Sequence, residues 1–393
     1  MTIRSGHPDF LDLDWTLPLA QWPGSRTLAM PTGRHRHPIA FVPYEHAIYV
    51  VKELPLPAAR NEHAVLRRLE GLRAPAVVPV GLVERPWLPA DDEDAAAVIT
   101  RYAEFSFSYR ELISEGGFGP RRNQMLDGFA GLLVQLHLLG CYWGDCSLSN
   151  VIYRYDADAI EVIMLDAETA AVHERLSDGQ RLEDLEIMVE NVAGGMADIA
   201  ASQGRGLDAA DLELGRDIEA RYRGLWDELH RDLSIRPDET YRIRERIRRL
   251  NEMGFEVEGV ELSPGGDSGS QMRMRLRVGG RSFHARRLHE LTQLDVPENQ
   301  ARQVLADLRY FEAKLAGSGQ SPAVVAMRWR VEVLEPLLAR MRQVVGEGED
   351  PVQGYCDLLH HRYMLSVDRQ TDVGNDEAFA HWLGSGRPGY PLE

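Results

Sequence analysis

At 393 residues and 44% hydrophobic composition, the chain is long enough for two or three units, each with a core of its own. Its 61 acidic against 44 basic side chains leave a net charge of -17, which argues against a general binder of nucleic acid or of acidic membranes. Three cysteines without a C-x-x-C pair exclude a disulfide framework and a cysteine zinc site, and they point to a reducing compartment.

The N-terminal stretch MTIRSGHPDFLDLDWTLPLAQW is interrupted by Pro and Asp and lacks an apolar signal core, and no later run approaches ~18 apolar residues. A cytoplasmic protein without a membrane span is expected. Between Thr27 and Leu54 the pattern predicts an antiparallel meander of RTLAM, IAFVPY and AIYVVKEL, with PTGRHRHP and Glu45-His46 as turns. In ARNEHAVLRRLEGL, Ala64, Leu66, Leu69 and Leu72 keep near-helical spacing, so a helix follows. VVPVGLV and AAAVITRY read as further strands, and the acidic run DDEDA at 91–95 between them reads as a solvated hairpin tip.

After Tyr102 the character turns helical, first at SYRELI and then at RNQMLDGFAGLLVQLHLLG, where Leu126, Phe129, Leu133, Leu136 and Leu139 recur at helical spacing up to Gly140. The polar loop WGDCSLSN comes next. VIYRY and EVIMLD then flank Asp156-Ala157-Asp158 as a hairpin, which leaves Asp166 at a strand end. Helices resume at LEDLEIMVENVAGGMADIAA and DLELGRDIEARYRGLWDELHRDL, and Arg236-Pro237 marks a boundary. The expected division is a β-rich lobe over 1–101, a helical lobe over 102–235, and an α+β domain over 236–393. That last domain would hold a basic helix, two strands and helices at 297–316, 323–345 and 351–366.

Phosphoryl transfer requires a fixed cation for the phosphates, hard oxygen ligands for Mg²⁺ and a group that aims the nucleophile. Lys52 ends an apolar strand, Glu62 lies on the next helix, and Asp145, Asn150 and Asp166 follow in order. This ordered set, with D-x-x-x-x-N at its centre, resembles the protein-kinase-like superfamily over roughly residues 25–200. The resemblance implies a bilobal α+β fold that binds ATP and Mg²⁺ between its lobes. It further implies that Lys52 binds phosphate, Glu62 pairs with the lysine, Asp145 acts at the acceptor hydroxyl, and Asn150 and Asp166 bind metal. By the same analogy Gly33 permits close approach to the nucleotide, and Arg36 or His37 reaches phosphate oxygens. Asp184 would bond the backbone of the catalytic loop.

The segments GRHRH, VVKELP, ITRY, WGDCSLSN, LDAET, LSDGQR, DLEI-x-x-EN and VPENQAR together resemble, more narrowly, a bacterial lipopolysaccharide-kinase-like family that carries a C-terminal domain of unknown function. Two departures from ordinary protein kinases stand out. Trp143-Gly144 replaces the usual His-Arg, so Trp143 must fill the space of that histidine. Asp166-Ala167-Glu168 replaces Asp-Phe-Gly and is similar to the Asp-x-Glu of aminoglycoside and choline kinases. No long activation segment follows, which leaves little room for a peptide platform, and the phosphoryl acceptor is open.

Two other readings stand beside the kinase. One is a nucleotide-binding, pseudokinase-type regulator without turnover. The other is an interaction scaffold whose C-terminal domain binds a partner or RNA through Arg273, Arg275 and Arg277, which share one strand face. Pairing of those arginines with Glu256 and Glu258 on the neighbouring strand is the competing account. His35, His37, His46, His360 and His361 fit no zinc spacing, and Cys146 reads as a packing residue.

Overall fold

The computed structural model describes residues 1–30, 36–45, 47–112, 121–236, 239–264, 272–315, 319–346 and 348–390, so Gly33, His35 and His46 lie outside the described residues. The chain divides into two units: Met1–Tyr153 with Val162–Glu228, and Arg154–Glu161 with Leu229–Glu393. Among the described residues no helix is long and apolar enough to cross a membrane.

The first unit begins with strands β1 (Thr2–Ile3), β2 (Ile39–Tyr44), β3 (Ala47–Leu54), β4 (Pro79–Glu84) and β5 (Ala96–Arg101), with helix α1 (Leu56–Gly71) between β3 and β4. They form an antiparallel sheet in the order β1-β4-β5-β3-β2. The two-residue pleat turns Tyr49, Val51 and Glu53 to one face and leaves Val50 and Lys52 on the other. The predicted strand RTLAM is reduced to a single bridge between Leu28 and Phe41.

The aperiodic N-terminal segment is a covering strap for this sheet. Phe10, Leu13, Leu19 and Trp22 pack with Val42, Val51, Val80, Val83 and Ile99. An ion pair with both side chains only 1% exposed fastens it: Arg85 donates to Glu53 at 2.6 Å. The same guanidinium binds the carbonyls of Trp15 at 2.8 Å and Leu17 at 3.0 Å, and Glu53 accepts the Leu19 N–H at 3.0 Å. Arg85→Ala strands a buried carboxylate and is expected to cost about 3–5 kcal/mol in urea unfolding. A loss below about 1 kcal/mol, the range of a surface pair, would remove the fastening role.

The rest of the first unit is mainly helical: β6 (Ser106–Phe107), α2 (Tyr109–Leu112), α3 (Arg122–Leu138), β7 (Cys141–Tyr142), β8 (Val151–Asp156), β9 (Ala159–Met164), β10 (Ala171–Val172), α4 (Asp178–Ser202) and α5 (Ala209–His230). Helix α3 buries Met125, Leu126, Phe129, Leu133 and Leu136. It stops at Gly140, whose φ is +78° and where a Cβ would lie 2.3 Å from the His173 carbonyl oxygen, so only glycine fits. Helix α4 starts a turn earlier than its apolar periodicity suggests, because Ser177 and Gln180 form a capping box.

In the second unit, β11 (Leu233–Ile235), α6 (Thr240–Glu252), β12 (Phe255–Pro264) and β13 (Met272–Arg281) precede α7 (Phe283–Thr292) and α8 (Glu298–Lys314). Helix α9 (Pro322–Trp329) continues through a π-helical turn, Arg330–Leu334, into α10 (Glu335–Val344), followed by α11 (Pro351–Arg369) and α12 (Asn375–Gly384). The strands pair in the order β11-β13-β12. Trp329, Tyr355 and Trp382 anchor the core around a buried carboxylate. That carboxylate, Asp307, accepts from the Trp329 indole at 2.9 Å, the Tyr355 hydroxyl at 2.8 Å and Arg362 at 2.8 Å.

Arg273, Arg275 and Arg277 do share the exposed face of β13, yet each has an acidic neighbour. Arg273 and Arg275 reach Asp232, and Arg277 reaches Glu258. Glu256 is instead engaged by Arg286 and Ser282. The Arg154–Glu161 hairpin tip also belongs to this unit. Its Asp156 accepts the Gln300 N–H at 2.6 Å and the Asn299 N–H at 3.1 Å. This caps α8, for which Pro297 supplies no side chain. Gln353 completes the grip through the Ala157 N–H and carbonyl at 2.8 and 3.1 Å.

Candidate functional site

The exposed-to-core alternation of β3 carries Lys52 to the sheet face opposite the strap. On α1, Glu62 occupies the same helical stripe as Ala59, Val65, Leu66 and Leu69, so a carboxylate takes an inward position normally apolar. The two meet: Lys52 Nζ lies 3.1 Å from Glu62 Oε2. The same ammonium lies 2.6 Å from Asp166 Oδ2 and 3.9 Å from Glu168 Oε2. Carboxylate oxygens of Glu62, Asp166 and Glu168 all lie within 4.8 Å of one another.

One ammonium among three carboxylates leaves an excess of negative charge. Burial works against the charge on Lys52, but Glu62 and Asp166 outweigh it and raise its pKa above the ordinary value. Burial pushes the Glu62 carboxyl up to about 8; Lys52 opposes this, and Asp166 and Glu168 add to it.

The loop after α3 is built around Asp184. This buried carboxylate on α4 accepts the N–H groups of Trp143 and Gly144, each at 2.7 Å. His137 Nε2 lies 3.1 Å away and its Nδ1 lies 2.8 Å from the Tyr222 hydroxyl. Burial lowers the His137 pKa, so the neutral ring donates from Nε2 and accepts the hydroxyl at Nδ1. Trp143 is fully buried, stacks on Phe129 and donates its indole N–H to the Asp166 carbonyl at 2.9 Å. It therefore fills core space beside α3 and ties the two acid-bearing loops together. Gly144, at φ +79°, lets the chain turn toward Asp145.

Asp145 is held by two amides. Asn150 Nδ2 donates to its Oδ2 at 3.0 Å and to its backbone carbonyl at 3.0 Å. Asn191 Nδ2, on α4, donates to its Oδ1 at 2.9 Å and to the Cys146 carbonyl at 3.2 Å. The neighbouring Cys146 thiol is buried and pushed well up, first by burial and then by Asp184, which makes it a packing group.

Asp166 follows β9, and its Oδ1 accepts the Glu168 N–H at 3.1 Å. Asn61, beside Glu62, donates to the Glu168 and Ala170 carbonyls at 2.9 and 3.0 Å, which docks α1 on this loop. His37 is buried between two acids, with Nε2 3.0 Å from Glu168 and Nδ1 3.0 Å from Glu93. The run at 91–95 is therefore more than a solvated tip, because Glu93 reaches His37 just ahead of β2. Arg36 is largely exposed, 3.9 Å from Glu168.

Lys52, Glu62, Asp145, Asn150, Asp166 and Arg36 all line one cleft of about 700 Å³. Ile39, Val50, Val77, Val98 and Leu165 give it an apolar portion. Glu168 and Asn191 join these residues, and sequence reasoning did not place either in the site. Their traces were present in LDAET and DLEI-x-x-EN, but an acid in a loop or an amide within a helix carries no signal of where it points.

Residues 44–203 match the model of the Lipopolysaccharide kinase (Kdo/WaaP) family, and residues 224–385 match a domain of unknown function, DUF4032. No curated protein matches the chain. A solved structure of WaaP in complex with acyl carrier protein is similar at 19% identity, covering 50% of this chain and 90% of that one, with a TM-score of 0.34. The first matched segment contains Lys52, Glu62, Asp145, Asn150, Asp166 and Glu168. The chain thus joins a segment that matches the Kdo/WaaP lipopolysaccharide kinase family, which makes it a kinase-type phosphotransferase of kinase-like α+β fold, to a C-terminal segment that matches DUF4032.

Proposed function

We propose that the cleft binds Mg-ATP and transfers its γ-phosphoryl group to an acceptor hydroxyl. The observation that carries this reading is the convergence of Lys52, Glu62, Asp166 and Glu168 on the cleft that also holds Asp145 and Asn150. Asp166 and Glu168 offer hard oxygen donors. Asn150 suits the same ion, since its Nδ2 is committed to Asp145 and its side-chain oxygen has no hydrogen-bond partner among the described residues. Asp166, Asn150 and Glu168 would hold Mg²⁺, which would supply charge neutralisation for the phosphates.

The apolar portion at Ile39, Val50, Val77, Val98 and Leu165 takes the base. Lys52, kept charged by its acidic neighbours and aimed by Glu62, binds phosphate oxygens. Asp145, its carboxylate fixed from both sides by Asn150 and Asn191, orients the acceptor hydroxyl and receives its proton. Positioning and electrostatics then supply most of the acceleration.

Mg-ATP is expected to raise the melting temperature of the full chain; at 100-fold saturation the stabilisation is about 2.7 kcal/mol. Lys52→Ala should remove most of that shift, as followed by scanning fluorimetry. The absence of any shift in the wild type would sink the nucleotide reading.

A further inference from the structure

Helix α4 forms one wall of the cleft through Glu190, Asn191, Gly194, Gly195 and Asp198. Glycine inside a helix is destabilising relative to alanine, so two in succession need a reason. Packing does not provide one. A Cβ at Gly194 would meet nothing within 4 Å, and one at Gly195 would meet only Leu148 Cδ1 at 3.9 Å. Gly215 on α5 is a contrast, because its Cβ would lie 2.8 Å from Val189 Cα and the helices approach there. Gly131 and Gly224 also have open Cβ positions, but neither lines the cleft.

The space left by the pair therefore belongs to the cleft, next to the Asn191 amide that fixes Asp145. Glu190, Gly194 and Asp198 succeed one another at four-residue steps on this wall, so the backbone positions of the two exposed acids lie about 12 Å apart along the axis with the glycine gap between them. Neither acid has an ion-pair partner among the described residues, unlike the acids around Lys52. Arg110 on α2 lines the same cleft, as do Lys52, Arg36 and Arg101.

We propose, on the basis of the phosphotransferase reading, that the acceptor lies across the Gly194–Gly195 backbone and is a small hydroxyl compound bearing protonated amines. Glu190 and Asp198 recognise the amines. The hydroxyl oxygen forms a bond to the γ-phosphorus, and the bond from that phosphorus to the β-γ bridging oxygen breaks. ADP leaves with that electron pair, and the hydroxyl proton passes to Asp145. Ordinary phosphoester, ADP and one proton are the products.

The test uses the full chain with Mg-ATP and three disaccharide probes: one built of glucosamine with free amines, its fully N-acetylated form, and a uronate dimer. Binding is read by calorimetry with a non-hydrolysable ATP analogue, and transfer by mass spectrometry. The free-amine probe should bind about tenfold tighter than its acetylated form and be the one phosphorylated. In Glu190→Gln with Asp198→Asn the preference should fall below about threefold, the level of an exposed pair. Gly194→Leu should abolish probe binding while the melting temperature and its Mg-ATP shift persist. Equal binding of the three probes, binding of none, or a preference that survives the double substitution overturns the proposal. A missing Mg-ATP shift in the wild type would instead overturn the nucleotide reading on which it rests.

Discussion

Asp145→Asn is expected to lower kcat by about 10²- to 10⁴-fold while Mg-ATP affinity stays nearly unchanged. The substitution keeps shape and removes basicity. Both carboxylate oxygens of Asp145 accept amide N–H groups, from Asn150 and from Asn191. An asparagine there turns its own NH₂ toward one of those donors, so a modest local loosening accompanies the loss of the base. Single-turnover ADP release with the favoured acceptor reads the chemistry, and the Mg-ATP melting shift reads binding. Undiminished turnover would remove Asp145 from the proton path. A wild type that binds Mg-ATP yet never turns over would favour the regulator.

Asp184→Ala is expected to cost about 3–5 kcal/mol of unfolding free energy. It strips the acceptor from two buried backbone N–H groups at Trp143 and Gly144 and from the His137 ring at once. Asp145 follows directly, so catalysis should fall with stability. Asp184→Asn retains one acceptor and should lie between wild type and alanine in urea unfolding. If the alanine variant unfolds within about 0.5 kcal/mol of wild type, the loop is held by something else.

Much of this site was legible because its residues sit where pattern and chemistry disagree. Lys52 interrupts an apolar strand and Glu62 interrupts an apolar helix stripe, and such conflicts mark places where local preference yields to function. The bond from Asp184 to the Trp143-Gly144 backbone was expected from the resemblance and is present. Asn191, Glu168 and the His37 contacts were not foreseen, since each depends on which turn of a helix or loop faces a partner more than 40 residues away or across the cleft. The strap over the sheet was invisible for another reason. Its Phe10, Leu13, Leu19 and Trp22 follow no period, because an irregular segment packs wherever its turns permit. The last helix, Asn375–Gly384, is short and was likewise passed over.

The hairpin Arg154–Glu161 makes the chain awkward to cut. A protein expressed from residue 229 onward would contain α8 with the Asn299 and Gln300 N–H groups bare, and Gln353 without the Ala157 backbone it clasps. A piece spanning the second family match alone, 224–385, has the same gap. Eight residues that lie between Asn150 and Asp166 in the gene would have to be supplied in trans or grafted onto the fragment before it folds as it does here. An exchange of the C-terminal domain must therefore carry this short sequence along.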